Sequence, residues 1–387
     1  MTARRLGIYV HVPFCLKKCS YCSFISYPGI PSAEAASSYA DAVLAELRHR
    51  VFGMQEGFAG WTLYIGGGTP TTLGGELERL ISGIIGIMAG LGWGRPLEAT
   101  VEANPGTISH RSAVRIVASG ADRFSLGVQS MVDEELKAVG RMHSAEDAER
   151  AFDAMRYAGA KSVSVDIIAG LPGQNADSLL RTLEAVASLS PDHVSCYGLT
   201  LEEGTPLFDS HAAGTIAIPD DDAAADLLDM AVAWFKGMGL HRYEISNYAK
   251  PGHESLHNLI YWSDMPYIGL GAAAHSYDPD ARVRSWNVKG VEDYKGLIAA
   301  CGAAEESREA ISVERAMSDA LILALRTSCG ASIQLIEQRY GARFGPDVLN
   351  ALAWAKANSM LEIREGGSAE LTDRGIMLSN SLFAKLV

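Results

Sequence analysis

The stretch Leu6-Gly-Ile-Tyr-Val-His-Val-Pro-Phe-Cys-Leu-Lys-Lys-Cys-Ser-Tyr-Cys22 decides how the rest of the chain is read. Residues 6–12 are β-branched, aromatic or apolar and carry the composition of a buried strand; Pro13 cannot donate to a ladder and marks its end. Immediately after come three cysteines, Cys15, Cys19 and Cys22, spaced C-x3-C-x2-C. Three thiolates in one short loop can wrap one face of a cubane iron–sulfur cluster. Such clusters ordinarily take four cysteines, so a three-cysteine loop leaves one iron open to a ligand, as a catalytic zinc site keeps a position for water. Zinc is the alternative for the same triad. A structural zinc site, however, asks for a closed four-ligand set; His11 lies on the preceding strand and no second pair is evident.

Outward from this loop, short strand-like runs alternate with longer helical patterns. Strands are expected at Leu6–Val12, Trp61–Ile65, Glu98–Ala103, Asp122–Val128, Ser162–Ile168 and His193–Leu199, and helices at Glu34–Val51, Glu76–Ala89, Ala145–Ala158 and Ala176–Ser188. This alternation implies parallel βαβ units. Six strands fall short of a closed eight-stranded barrel, so the fold class is α/β with a partial (β/α)6 TIM-like barrel. Each strand is followed at once by Gly, Pro, Cys or a polar residue, as in GGGTP, ANPGT and AGLPG. Gly and Pro punctuate strand ends in any protein. Six such endings in a row point instead to the carboxyl mouth of a parallel barrel, where functional groups gather.

The composition excludes several classes. The chain of 387 residues has a net charge of −13, against a general nucleic-acid or anionic-membrane binder. Its most apolar run, Leu80–Trp93, is too short and too rich in glycine to span a bilayer and reads as a barrel-surface helix. The amino terminus lacks the apolar core and cleavage site of a signal peptide, so a cytoplasmic protein is expected. Six cysteines are too sparse for a disulfide scaffold. Cys196, Cys301 and Cys329, isolated in apolar surroundings, are expected to be small buried side chains.

Beyond residue 210 the pattern changes, giving expected divisions at 1–210, 211–300 and 301–387. The acidic turn Pro219–Asp222 caps a helix to about Lys236, and an aromatic-rich stretch runs from Tyr243 to Trp286. The last part reads as helices Glu314–Arg326, Ile333–Tyr340 and Pro346–Ala357, two short strands and a final helix, an α+β, winged-helix-like arrangement. It carries 9 Lys/Arg and 11 Asp/Glu and no basic recognition helix, which favours a structural or docking role over DNA binding.

The cysteine triad at the end of the first strand resembles that of the radical S-adenosylmethionine (SAM) superfamily. The resemblance narrows to its coproporphyrinogen-oxidase-like branch through Tyr9-x-His11-x-Pro13-Phe14-Cys15, Gly66-Gly-Gly-Thr-Pro70, Val101-Glu-Ala-Asn-Pro105, Ser125-Leu-Gly-Val-Gln129-Ser130 and Asp166-x-x-x-Gly-Leu-Pro172. Within that branch the chain is most similar, over nearly its whole length, to the heme-chaperone group. The oxidase pattern continues C-x2-C-x-C, whereas Phe24 stands here, and the oxidase carries a longer extension before the triad. The resemblance implies that Cys15, Cys19 and Cys22 hold a [4Fe-4S] cluster. It implies that Tyr9, Tyr21, Gly67, Gly68, Thr69, Glu102, Gln129, Arg141 and Asp166 contact SAM, and that His257 of the HNxxYW motif His257–Trp262 binds heme, with His275 a second candidate. No residue is assigned a catalytic role. The implied partners are heme, apo-hemoproteins of the respiratory chain and a heme donor such as bacterioferritin. Two other hypotheses stay open: a radical-SAM enzyme (a two-SAM methyltransferase or cyclopropanase, or the oxidase itself), and a purely structural iron–sulfur protein.

Overall fold

The computed structural model describes residues 4–54, 57–364 and 367–387; the first three residues of the amino-terminal stretch lie outside it. Strands β1 (Leu6–Val12), β2 (Trp61–Gly67), β3 (Glu98–Ala103), β4 (Arg123–Gln129), β5 (Ser162–Ala169) and β6 (His193–Gly198) lie side by side in sequence order, all parallel. Helices α1 (Ala33–Val51), α2 (Gly75–Gly90), α3 (His110–Ala118), α4 (Ala145–Tyr157) and α5 (Ala176–Leu189) form the crossovers. Ser109, Ser144 and Asn175 open α3, α4 and α5 with reciprocal capping boxes, which satisfy otherwise orphaned amide groups of the first turn. The Leu80–Trp93 run falls largely within α2, where Leu77, Leu80, Ile81, Ile84 and Met88 are fully buried. At about 1.5–3 kcal/mol for each buried side chain, that face holds the helix against the sheet.

The period of two along each strand sorts the residues. Leu6, Ile8, Val10 and Val12 of β1, Trp61, Leu63 and Ile65 of β2, and Phe124, Leu126 and Val128 of β4 belong to the main apolar core, beneath the helices. The alternate positions, which face the lumen, are Tyr9, His11, Tyr64, Thr100, Glu102, Ser125, Ser164, Asp166, His193 and Ser195. Barrel interiors are ordinarily filled by branched apolar residues. Here the lumen is polar, which suits a site rather than a plug.

The sheet is larger than six strands. After helix α6 (Asp221–Gly237) come β7 (His241–Arg242) and β8 (Asn247–Ala249): β8 adds antiparallel to β6, and β7 antiparallel to β8. The chain then passes through helix α7 (Leu256–Trp262) to the other edge. There β9 (Tyr267–Leu270) pairs parallel with β1, a seventh parallel strand that the six-strand expectation did not include. Strands β10 (His275–Asp278), β11 (Val283–Asn287) and β12 (Glu305–Ala310) extend the same edge antiparallel, with helix α8 (Val291–Cys301) between the last two. The result is one open twelve-stranded sheet ending in β12 and β7. Leu227, Phe235, Tyr248, Tyr294 and Ile298 join the core of β1–β6, so much of segment 211–300 is built onto the barrel.

Helices α9 (Val313–Leu325), α10 (Ile333–Tyr340), α11 (Pro346–Ala357), α12 (Asp373–Met377) and α13 (Ser379–Leu386) surround a small antiparallel sheet. Its strands, β13 (Ala331–Ser332), β14 (Leu361–Ile363) and β15 (Ser368–Leu371), lie in the order β13-β15-β14. This unit has its own core around Leu321, Leu325, Ile336, Leu352, Leu382 and Phe383. One expectation fails: Cys196 is buried, but Cys301 and Cys329 are exposed. Cys301 is the last residue of α8, and Cys329 lies in the turn before β13, where little packs over them.

Candidate functional site

The loop after β1 leaves the carboxyl end of the barrel and is tied down by backbone bonds. Residues Phe14–Cys15 pair with Tyr27–Pro28, the Gly29 amide donates to the Cys15 carbonyl at 2.7 Å, and the Ser20 amide donates to the Val139 carbonyl at 3.1 Å. Cys15, Cys19 and Cys22 are free thiols, half-buried. All three open on a cavity of about 470 Å³. Its wall also carries Tyr21, Gly67, Gly68, Glu102, Gln129, Arg141 and Asp166, residues drawn from the loop and from the ends of β2, β3, β4 and β5. The structure thus brings together ten of the thirteen residues singled out in the sequence.

The glycines are required by space. A Cβ at Gly66 would lie 2.7 Å from the Glu102 carboxyl carbon, one at Gly67 (φ +108°) would lie 2.4 Å from His11 Nδ1, and one at Gly68 would lie 2.6 Å from the Phe14 carbonyl oxygen. Glu102 accepts from the Gly67 amide at 3.0 Å and from the Tyr64 hydroxyl at 2.7 Å. Burial pushes its carboxyl up to about 7, against the pull of the Tyr64 hydrogen bond, with the Asp166 charge raising it further. Asp166 accepts from the Ser125 hydroxyl, which lies 2.8 and 3.0 Å from its two oxygens. Burial raises its carboxyl too, and the serine hydrogen bonds oppose the rise. Gln129 ends β4 with φ +69°, where the register with β5 shifts. This left-handed kink is a feature the local sequence did not announce.

Thr69 and Arg141 brace the thiols. The Thr69 hydroxyl lies 3.3 Å from Cys15 Sγ and accepts from Asn104 Nδ2 at 2.7 Å. Arg141 donates to the Asn104 carbonyl oxygen of its side chain at 2.9 Å, to the Gly127 carbonyl, and to Cys19 Sγ at 3.7 Å. Its Nε is buried and has no hydrogen-bond partner among the described residues. Asn104, Ser125, Gly127, Tyr197, Thr200 and Glu202 also line the cavity and were not singled out. Asn104 and Ser125 sit inside quoted motifs, so strand-end position was a usable signal for them. Tyr197 and Glu202 had no such signal.

The donor set fits an iron–sulfur cluster with one open iron. Three thiols face a common space, a guanidinium approaches one of them, and the cavity continues beyond them. Among the described residues no group of three or more Cys, His, Asp or Glu side chains is placed to hold a single metal ion. Burial raises the Cys22 thiol, against the pull of the Phe24 backbone hydrogen bond, so a bound metal would favour the thiolate there.

Three expected site residues stand apart from the cavity wall. Thr69 is buried behind Cys15. Tyr9 lies deeper in the lumen, its hydroxyl 3.0 Å from His11 Nδ1 and its ring stacked on Tyr64. His257 is at the opposite end of the barrel. Its helix α7 lies against the strand beginnings: the amides of Leu256 and His257 each donate to the Glu98 carboxylate at 3.1 Å, where β3 starts. The imidazole is fully buried, with Nδ1 2.8 Å from the Thr62 hydroxyl and Nε2 2.8 Å from the Tyr261 hydroxyl. Burial pushes its pKa down to about 3. Both ring nitrogens are thus hydrogen-bonded within the fold, and the helix that carries the HNxxYW motif lies against the barrel floor. His275 is exposed at the start of β10, its ring stacked on Trp286 at 5.7 Å and 26°.

A profile of the radical SAM superfamily matches residues 9–186. The heme chaperone HemW of Bacillus subtilis (strain 168) is 32% identical over 383 residues, 97% of each chain. That of Escherichia coli (strain K12) is 37% identical over 280 residues, 72% of each. The structure of coproporphyrinogen III oxidase (HemN) from Escherichia coli superposes with a TM-score of 0.81 over 99% of this chain and 90% of that one, at 24% identity, and so shares the fold. The parallel half-barrel with its cysteine-lined mouth is that of a radical SAM protein. Within that superfamily the chain belongs to the family of the heme chaperone HemW.

Proposed function

We propose that this protein is a heme chaperone: it carries a [4Fe-4S] cluster on Cys15, Cys19 and Cys22, binds SAM in the adjoining cavity, and receives and delivers heme. The observation that carries the reading is the cavity itself, in which three thiols, a glycine-lined backbone edge and two half-buried carboxylates face one another, in a chain similar end to end to proteins named for heme. When bound, the cluster supplies an iron with an open position and the means to pass one electron to SAM. The chain's own residues set the rest. Gly67 and Gly68 let backbone polar groups approach a ligand closely. Glu102, held by Gly67 and Tyr64, presents a carboxylate to a cationic group. Asp166 and Gln129 offer acceptors further along the wall, and Arg141 offers a guanidinium to a carboxylate. Phe24, in place of the oxidase's further cysteine, supports a chaperone over the oxidase.

The recipients would be apo-hemoproteins such as respiratory enzymes, and a donor of the bacterioferritin kind would supply the heme. Among the described residues no helix is long and apolar enough to cross a membrane. The test is an anaerobic heme titration of the cluster-reconstituted protein, followed by transfer to an apo-hemoprotein, with and without SAM. Saturable binding and transfer are expected. Absence of heme binding, with S-adenosylhomocysteine or an altered substrate accumulating instead, would replace the chaperone with an enzyme.

A further inference from the structure

Resting on the heme reading above, with the HNxxYW motif as its heme-binding element, we propose that His193 and Tyr243 are positioning residues that carry occupancy of the cavity at Asp166 to helix α7, so that SAM in the cavity holds α7 against the barrel floor and restrains heme binding. The Asp166 carboxylate opens on the cavity beside the cysteine loop. From there an unbroken file of hydrogen bonds descends the lumen. The Ser164 hydroxyl, two residues back along β5, lies 3.2 Å from Asp166 Oδ1 and 2.8 Å from His193 Nδ1 at the start of β6. His193 Nε2 lies 2.9 Å from the Tyr243 hydroxyl, which accepts from the Ser255 amide at 3.2 Å. Ser255 is the N-cap of α7, its own hydroxyl accepting from the Asn258 amide. Ser164, His193, Tyr243 and Ser255 are all buried, so bulk solvent does not screen the file.

The two ends fix the polarity of the file. A backbone amide can only donate and an ionised carboxylate can only accept. The Tyr243 hydroxyl, accepting from Ser255, therefore donates to His193 Nε2. The Nδ1–H of the neutral imidazole donates to Ser164, and the Ser164 hydroxyl donates to Asp166. Burial and the nearby Arg123 charge keep His193 neutral, as this order requires. The file holds together only while Asp166 accepts. Burial works against its ionised form, whereas a hydroxyl or cationic group of a ligand stabilises that form. Occupancy of the cavity thus firms the whole file, and the first turn of α7 with it. The second cavity carboxylate reaches the same helix: Tyr64 donates to Glu102 at 2.7 Å, and its ring stacks on that of His257 at 5.1 Å. Since His257 is fully buried, heme reaches it only when α7 lifts, so a firmer α7 and bound heme oppose one another.

The experiment is hydrogen exchange of residues 253–262 in the full-length, cluster-reconstituted protein, with and without SAM, in the wild type, Ser164→Ala and Tyr243→Phe. SAM is expected to slow exchange in this segment of the wild type by about threefold or more. Both variants should bind SAM saturably and lose the response. Ser164→Ala cuts the file at its upper end and leaves the Tyr243–Ser255 bond in place, so its exchange without SAM should match the wild type; Tyr243→Phe should exchange faster with and without SAM alike. A merely structural role would move the basal rates and spare the response. No SAM effect in the wild type, or a full response in both variants, would overturn the relay. Heme titration in parallel tests the coupling: SAM should weaken heme binding by about fivefold or more in the wild type, heme should weaken SAM binding by the same factor, and neither should occur in the variants. Heme affinity indifferent to SAM would overturn the restraint on heme binding. A wild-type chain that binds no heme while α7 still answers to SAM would overturn the heme reading and leave the relay standing.

Discussion

Glu102 links the site to pH. Its pKa in the folded protein is raised to about 7 by burial, above the ordinary carboxylate range. Its contribution to stability is therefore full below the unfolded pKa of about 4.3 and is lost as pH rises through about 7. Denaturant midpoints of the ligand-free protein should fall over that window, and Glu102→Gln should flatten the dependence. A cation bound beside Glu102 would favour the charged form, so SAM binding should release a proton near neutral pH; titration calorimetry in buffers of different ionisation enthalpy reads this directly. Gly67→Ala is the sharper lesion. It strains a backbone at φ +108° and drives a methyl group against His11, which should cost about 1–3 kcal/mol and lower iron retention at the neighbouring triad. Unfolding curves and iron content report the two effects separately.

At the scale of the element, helix α7 is a closing piece for the barrel floor. Glu98 receives the α7 amides while lying 3.7 Å from Nη1 of the buried Arg123, whose Nη2 has no hydrogen-bond partner among the described residues. Glu98→Ala leaves that charge uncompensated and should cost about 3–5 kcal/mol in chemical denaturation. His257→Ala empties a fully buried space and strands the Thr62 and Tyr261 hydroxyls, for an expected loss of about 2–4 kcal/mol. Cluster content on reconstitution should be unchanged in His257→Gln. A heme spectrum lost in that variant, with stability intact, would assign the motif ligand duty.

Across the whole molecule, the small carboxyl-terminal unit is latched to the barrel by few polar groups. Asp264, buried and just past α7, accepts from the Tyr340 hydroxyl at 2.7 Å and pairs with Arg339 at 3.1 Å. Arg284 pairs with Asp319 at 2.8 Å, and Arg326 lies over the Trp262 ring. Asp264→Ala should loosen this seam at a cost of about 1–3 kcal/mol. Hydrogen exchange should then rise in α10 and spare β1–β6. Uniform acceleration across the chain would mean that the seam supports the barrel rather than docking the unit.

Much of the fold could be read locally because its signals are local. Strand alternation and helix period gave the parallel βαβ series, and the cysteine spacing with glycine-rich strand ends gave the cavity wall, since strand ends in a parallel barrel necessarily share one mouth. The pairing of β9 with β1 and the antiparallel edge were invisible, because a four-residue strand such as Tyr267–Leu270 acquires its partner only through contacts made far along the chain. The same reason explains His257 and His275. Residue type marked both as candidate ligands, but only the tertiary structure decides that one imidazole bonds Thr62 and Tyr261 at the barrel floor while the other stands exposed on an antiparallel strand.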